Sequence, residues 1–496
     1  MLIDIIITIS LILCIILPGV LTTSIIISIT AFVLLLLPPV RRVPLFFYIL
    51  ITISPFSILG ETPGYATTLG KISIGNVLLF IALLCKLLRY PFEEFRYKNQ
   101  NKPLMKLTII LWFIFLIAAI SGFFLNTNYD FYLKELNNWS YFIILFPLFY
   151  MDFRMIEKHM LDDIFISIIK YCFMANVILF SFGIFGILTG KNIYLGWLDP
   201  IAAGRIFPPT WRTWRISYGA MIFANIFGIY GFINILLRRT PYLQKQRSQS
   251  KIKTRENHRL IFIVYLLIAC IIIGLSQTRA SIIGFLISIL SSMIYLVEKK
   301  INLVRSATII FILLMIATIL INLTINIPKT SSNENFTIKD LFNIERINED
   351  TYRLEEARGL IKSIIEDNFI GAGAGAAYTF YNPLFKISSY EHWLPHITPL
   401  YILYKLGIIG FIVFYTLWFK IILLAWRGRR KPFIIKEEEP NIGLTIISSC
   451  TIFSFCISII AQSLLGPANV SIHGFIIFSL LICFLAFDEY RHNSCI

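Results

Sequence analysis

The chain has 496 residues, of which 57% are hydrophobic and only 15% are charged, and its formal net charge is +16. So much apolar surface excludes a soluble globular protein, because a soluble domain of this size cannot bury it. In a membrane protein the basic excess is explained by cytoplasmic loops that face anionic lipid, so we expect no nucleic-acid partner.

Apolar runs long enough to cross about 30 Å of hydrocarbon recur along the whole chain and predict an all-α, polytopic transmembrane protein. Residues 2–17 lack the basic start and the small-residue cleavage site of a signal peptide, so we interpret them as a retained first helix. We expect twelve to fourteen spans. The fourteen segments lie at residues 2–17, 20–37, 43–60, 72–88, 106–125, 139–151, 163–189, 216–237, 260–276, 280–297, 303–326, 397–424, 441–464 and 470–487.

Loop charge predicts the orientation of the chain, because basic residues concentrate in cytoplasmic loops. If the N-terminus is cytoplasmic, the even-numbered loops carry the basic residues, for example Arg41 and Arg42 in the second loop and the run 427–431 in the twelfth. The short odd-numbered loops are poor in basic residues, apart from the segment 190–215. The pattern predicts that both termini are cytoplasmic and that the longest loop, 327–396, lies outside.

The external segment 190–215 opposes this charge trend, because it contains basic residues together with three tryptophans. An anionic ligand, such as a diphosphate or an acidic sugar, would explain the arginines Arg205, Arg212 and Arg215. The tryptophans are equally typical of sugar stacking and of the aromatic belt at a membrane interface. We divide the chain into N-terminal helices with this loop (1–259), core helices around a Ser-Gln-Thr-Arg break (260–326), the large external loop (327–396) and C-terminal helices (397–496).

Within the large loop, the stretch from Arg353 to Asp367 has the periodicity of an amphipathic helix. Such a helix would lie flat on the membrane surface or on the tops of the spanning helices. The glycines at 371, 373 and 375 are expected to end it and to allow tight turns. Its apolar stripe is Leu354, Ala357, Leu360, Ile361, Ile364 and Ile365, and its glutamates Glu355, Glu356 and Glu366 are expected to face away.

Three segments in order along the chain carry a family resemblance. They are "LSQTRASIIGFLISI" at 275–289, "RLEEARGLIKSIIEDNFIGAGAG" at 353–375 and "HITPLYILYKLGIIGF" at 396–411. Together they resemble the O-antigen ligase and O-antigen polymerase superfamily of bacterial envelope glycosyltransferases, over about residues 260–415. The positions that match the family motifs are Arg279, Arg353, Gly371, Gly373, His396, Gly407 and Gly410. The departures are Ala357, Asn368, Ile397 and Lys405, which stand in place of tryptophan, proline, asparagine and an acidic residue.

The resemblance implies a multi-pass enzyme of the bacterial inner (cytoplasmic) membrane with a periplasmic active site. The donor would be an oligosaccharide on undecaprenyl diphosphate, and the acceptor a growing glycan or the lipid A core. Further implied partners are membrane lipids and a chain-length regulator protein. The predicted catalytic residues are Arg279, Arg353 and His396, and the predicted substrate-binding residues are Arg358, His392, Arg205, Arg212, Arg215, Gly371 and Gly373.

Arginine suits the diphosphate, because its guanidinium stays protonated and can bind phosphate oxygens bidentately. Histidine suits a general base or an acceptor-orienting group near neutral pH. The structural alternatives are a snorkelling Arg279 and a histidine that caps a helix, and His392 is a second candidate for the role of His396. External loops contain no DxD, HExxH or P-loop motif, so we expect neither a metal nor a cofactor.

Four functions can be compared with these observations. The first is a polymerase that joins repeat units into O-antigen, capsule or exopolysaccharide, and the second is a ligase with the same donor and the same residues. A polysaccharide flippase or transporter is less favoured, because the halves show no internal repeat and the charged groups cluster at the outer face. A structural scaffold would not need arginine, histidine and glycine in this arrangement.

Overall fold

A computed structural model of the protein describes residues 2–16, 20–53, 74–89, 101–125, 129–189, 222–237, 259–276, 279–296, 344–382, 387–392, 397–430, 444–464 and 471–488. The all-α membrane fold is confirmed in these residues, with one small β-hairpin added inside the large loop.

Every predicted span except 303–326 overlaps a helix or a pair of helices, and 303–326 lies outside the described residues. The first eleven helices are α1 (Leu2–Ile16), α2 (Val20–Leu36), α3 (Pro39–Ile53), α4 (Ile74–Arg89), α5 (Lys102–Leu125), α6 (Tyr129–Ile143), α7 (Leu145–Phe153), α8 (Leu161–Thr189), α9 (Ile222–Leu237), α10 (Arg259–Ser276) and α11 (Arg279–Leu296). The rest are α12 (Ile344–Glu366), β1 (Tyr378–Asn382), β2 (Ile387–His392), α13 (Thr398–Arg427), α14 (Ile446–Ser463) and α15 (Ile472–Phe487).

The predicted sixth span, 139–151, is wrong in its boundaries, because two helices replace it. α6 begins ten residues earlier, at Tyr129, and α7 follows directly after Ile144. Pro147 has no amide hydrogen to donate to the carbonyl of Ile143, four residues back. That carbonyl instead accepts a 2.7 Å hydrogen bond from the indole Nε1 of Trp112 on α5.

The described helices divide into a buried centre and a lipid-facing surface. α15 is buried from His473 to Phe487, and α9 is buried along almost its whole length. α5 instead exposes Phe113, Ile117 and Phe124, as expected for a helix that faces lipid. Within the described residues, four helices are long and apolar enough to cross a membrane: Lys102–Leu125, Lys158–Phe182, Thr398–Arg427 and Ile446–Ser463.

The ends of helices that flank even-numbered loops meet on one side of the bundle. Nη2 of Arg42 on α3 and Nζ of Lys86 on α4 each lie 2.8 Å from Oδ1 of Asp152 on α7. On the same side, the amide of Thr445 donates to Oδ1 of Asp162 at the start of α8 at 3.0 Å, and the amide of Leu444 donates to Oδ1 of Asp488 at 2.9 Å. These contacts join the second, fourth, sixth and twelfth loops with the C-terminal end, as an alternating path across a membrane requires. Which side is cytoplasmic stays a prediction.

Candidate active site

The amphipathic helix of the large loop is longer than expected, because α12 begins at Ile344, and it packs onto a small core of its own. Leu360 and Ile364 are buried on one face of α12 against Tyr378 and Phe380 of β1 and Tyr404 of α13. We call this group, with Ala376, the external core. It attaches the folded part of the loop to the first turns of α13.

Glu356 corrects the prediction that the glutamates of this helix face away. It is only 1% exposed and accepts a 3.1 Å hydrogen bond from the hydroxyl of Tyr378, whereas Glu366 is exposed as expected. Packing against the hairpin therefore decides which side chains of α12 face inward, and polarity alone does not. Burial and the neighbouring Glu356 carboxylate raise the pKa of Tyr378, so this hydroxyl stays a donor at neutral pH.

Arg353 lies on the inward face of α12. It precedes Glu356 by three residues and Leu360 by seven, the spacing that brings side chains to one side of a helix. Its side chain is partly buried. Arg358, five residues further on, points to the outer face, where it is 65% exposed and pairs with Glu355 at 2.5 Å. Arg353 and Arg358 therefore face different surfaces of the helix.

The hairpin that follows was not predicted. β1 and β2 pair antiparallel, with Tyr378 opposite His392 and Thr379 opposite Glu391. Since Tyr378 belongs to the external core, the backbone of His392 lies one strand away from the inward face of α12. β2 ends at His392, four residues before His396, and α13 begins at Thr398.

α12 is not ended by glycine. It ends at Glu366, and the left-handed residues that turn the chain are Asn368 and Phe369, with φ of 51° and 60°. A left-handed aromatic residue is strained and persists only where surrounding contacts hold it. Here the carbonyl of Phe369 accepts a 3.0 Å hydrogen bond from the amide of Ile408 on α13.

The glycine–alanine segment 371–375 is threaded between α5, α6 and α13. The amide of Ala372 donates to the carbonyl of Tyr404 at 2.8 Å, that of Gly373 to Lys405 at 3.1 Å, and that of Ala374 to Ala118 at 3.0 Å. The physical role of the glycines is therefore close backbone contact with the spanning helices. A substrate-binding role for Gly371 and Gly373 stays a prediction.

Gly407 lets α13 receive this segment. Its φ of 69° and ψ of −176° interrupt the helix, and a Cβ at this position would overlap the carbonyl of Ile370. From the other side, a Cβ on Gly371 would lie 2.5 Å from the nitrogen of Gly407. The two glycines are thus required by one crossing of two backbones.

Gly407→Ala is expected to destabilise the fold by at least about 1–2 kcal/mol, because alanine disfavours this left-handed conformation. The loss should appear as a lower Tm in detergent and as faster proteolysis of the loop. The control is Ile409→Ala, which truncates a side chain that is 68% exposed on the same helix. Equal Tm values for the two variants would contradict the role assigned to the crossing.

A buried ion pair lies under the glycine segment. Nζ of Lys405 is 2.6 Å from Oε2 of Glu135 on α6, and both side chains are fully buried. Lys405 also donates to the carbonyl of Ala376 at 2.6 Å, and the amide of Gly375 donates to Glu135 at 2.6 Å. The pair therefore holds the glycine segment against two spanning helices.

The same carboxylate is bonded on its other side. The hydroxyl of Tyr401 donates to Oε1 of Glu135, and Nε1 of Trp139 donates to the Tyr401 oxygen at 2.9 Å. A buried charge pair is tolerated when the remaining donors and acceptors are satisfied in this way. We call Glu135, Trp139, Tyr401 and Lys405 the clasp.

Sequence reasoning missed the clasp, although one signal was present. Lys405 is one of two lysines inside the predicted apolar span 397–424, and a cation within the membrane needs a partner. Glu135 falls in a stretch that was predicted to be a short loop before the sixth span. Because the two residues are 270 positions apart, nothing in the local pattern pairs them.

The other predicted site residues are only partly described. Arg279 is the first residue of α11, whose Gly284 packs beside Gln462 near the end of α14, so α11 begins on the same side of the bundle as the external core. His396, Arg205, Arg212 and Arg215 lie outside the described residues. The convergence of Arg279, Arg353 and His396 on one pocket stays a prediction.

One comparison with known proteins identifies the region that contains these features. Residues 264–415 match a protein-family model described as "O-Antigen ligase". The match begins within α10 and ends within α13, and it includes α11, α12, the hairpin and the glycine segment. The predicted resemblance to the superfamily is therefore confirmed for residues 264–415. No curated protein matches the chain.

Proposed function

On the premise that residues 264–415 belong to the O-antigen ligase and polymerase superfamily of membrane enzymes, we propose that this protein is a glycosyltransferase that polymerises undecaprenyl-diphosphate-linked oligosaccharide repeat units. The product is a surface polysaccharide made on the outer face of the inner membrane. The active site lies on the side of the bundle that carries α12 and the hairpin.

The observation that supports this proposal is the folding of the large loop onto the spanning helices. The external core and the clasp hold three elements together: α12 with Arg353, β2 with His392, and the start of α13. His396 comes just before α13 in the sequence. Neither a scaffold nor a flippase needs Arg353 and His392 to be carried on elements that are held together in this way.

The chemistry asked of these residues is a single displacement. The hydroxyl oxygen of the acceptor sugar attacks the anomeric carbon of the donor, the bond from that carbon to the diphosphate oxygen breaks, and the electron pair leaves with undecaprenyl diphosphate. Arg279 and Arg353 bind the diphosphate, whose charge grows as the bond breaks. His396, or His392 in its place, accepts the hydroxyl proton.

The other predicted substrate-binding residues are assigned to the substrates, except Arg358, which points to the outer face of α12. Arg205, Arg212 and Arg215 are assigned to the anionic or sugar part of the substrates. Nothing in this scheme requires a metal ion, and we expect EDTA to leave the rate unchanged. Loss of activity in EDTA that Mg²⁺ restores would contradict the metal-independent scheme.

The second candidate is a ligase that transfers the glycan from undecaprenyl diphosphate to the lipid A core. It is favoured because the matching family model is described as "O-Antigen ligase". The two activities share the donor and differ in the acceptor. Purified protein in lipid nanodiscs, incubated with the lipid-linked oligosaccharide alone, should produce a ladder of longer glycans if it is a polymerase. Transfer only after lipid A core is added identifies a ligase, and no transfer with either acceptor contradicts both.

The orientation is tested separately in cells. A Thr379→Cys variant on the exposed side of β1 should react with a membrane-impermeant maleimide added outside, because the hairpin is expected to be periplasmic. Labelling only after the inner membrane is permeabilised would place the hairpin in the cytoplasm and remove the basis for a lipid-linked donor on the outer face.

A further inference from the structure

The outward face of α12 is apolar where a solvent-exposed helix would be polar. Leu354, Ile361 and Ile365 lie on one line along this face and are 52%, 44% and 58% exposed. Arg358 and Lys362 run beside them. A shallow groove of about 410 Å³ is lined by Arg358, Ile361, Lys362, Ile365 and Glu366.

This apolar line continues into the turn that follows the helix. Phe369 is 44% exposed and Ile370 is 79% exposed. The carbonyl of Phe369 is bonded to the amide of Ile408, and Ile408 and Ile409 are 44% and 68% exposed on α13. The exposed face of α12 is therefore continuous with the exposed apolar face of a membrane-spanning helix.

The break in α13 sets the depth of this junction. Before Gly407, Tyr404 packs into the external core, so the folded loop covers this end of α13. From Gly407 to Arg427 the helix rises about 30 Å, which is the thickness of the hydrocarbon layer. Ile408 and the turn at Ile370 are thus at the outer boundary of the bilayer.

We propose that the outward face of α12 is embedded in the interfacial region of the phospholipid leaflet on its side of the membrane. Ile361, Ile365 and Ile370 would lie among the upper acyl chains, and Arg358 and Lys362 would contact lipid phosphates. Amphipathic helices with basic edges bind membranes in this way. Continuity with the lipid-facing side of α13 favours a bilayer over a protein partner, and Arg353 lies on the opposite face of α12, which packs on the external core.

The test uses the full-length protein in nanodiscs of phosphatidylcholine and phosphatidylglycerol, without any donor lipid. Ile365→Cys and Ile370→Cys variants are labelled with nitrobenzoxadiazole, and Thr379→Cys on β1 is the matched control. Six cysteines are buried, namely Cys85, Cys172, Cys270, Cys450, Cys456 and Cys483, and labelled wild-type protein gives the background. We expect a phospholipid with a nitroxide on its acyl chain to quench at least about half of the fluorescence at 365 and 370, and iodide to quench only the control.

Three results would overturn the proposal. Iodide quenching at 365 and 370 equal to that at 379 means that the face is in water. Protection from iodide without nitroxide quenching means that protein covers it. Nitroxide quenching that appears only after donor lipid is added means that the face belongs to the donor site.

The proposed contact of Arg358 and Lys362 with lipid phosphates is tested by a separate experiment. In wild-type background, quenching at 370 should increase as phosphatidylglycerol replaces phosphatidylcholine, because the basic edge attracts anionic lipid. In an Arg358→Ser, Lys362→Ser double variant this dependence should be lost. A dependence that survives in the double variant contradicts the assignment of these two residues to lipid phosphates.

Discussion

Arg279→Ala, Arg353→Ala and His396→Ala are each expected to reduce glycan transfer by about 10²–10⁴-fold, the usual cost of removing a group that stabilises charge or transfers a proton in the transition state. The measurement is the rate of glycan transfer by purified protein in nanodiscs. Each variant should insert into the membrane at the wild-type level, because the clasp and the external core contain none of these residues.

Three further variants sharpen this result. Arg279→Lys should remain as inactive as alanine if bidentate diphosphate binding matters, since lysine supplies only a point charge. Glu366→Gln, on the exposed end of α12, should retain activity and controls for the helix itself. His392→Ala separates the two histidines. Wild-type rates in Arg279→Ala, Arg353→Ala and His396→Ala would show that the proposed site is wrong.

Lys405→Met is expected to destabilise the protein by about 3–5 kcal/mol, because it leaves the carboxylate of Glu135 buried without its counter-charge. Glu135→Gln should destabilise the protein to a similar extent, because it leaves the ammonium group of Lys405 buried without its counter-charge. The measurements are the Tm in detergent and the rate at which protease cuts the chain after α12. Activity should fall with stability, since the clasp holds the glycine segment in place.

The double variant Glu135→Met, Lys405→Met tests the electrostatic reason for this loss. It removes both charges and should be more stable than either single variant, because well-packed apolar residues can replace a buried pair at little cost. Glu355→Gln removes the more exposed pair with Arg358 and should change stability by less than about 1 kcal/mol. A Lys405→Met protein as stable as wild type would show that the clasp does not hold the loop.

Much of this protein could be predicted from patterns that are local in the chain. Apolar runs located the spans, because a bilayer requires continuous apolar helices. The amphipathic stripe located α12, and three ordered motifs indicated the superfamily that the match to residues 264–415 confirms. Boundaries were less accurate where one hydrogen bond decided them, as at Pro147, where the freed carbonyl of Ile143 is satisfied by Trp112.

By itself the sequence determined the membrane class, the alternation of basic loops and the family resemblance of residues 264–415, since each follows from composition or from residues close together in the chain. Only the tertiary structure decided that Glu356 turns inward, that Arg353 and Arg358 serve opposite faces, and that Glu135 pairs with Lys405. The physical reason is that a buried charge needs a partner to offset the loss of water, and for Lys405 that partner lies 270 residues away along the chain.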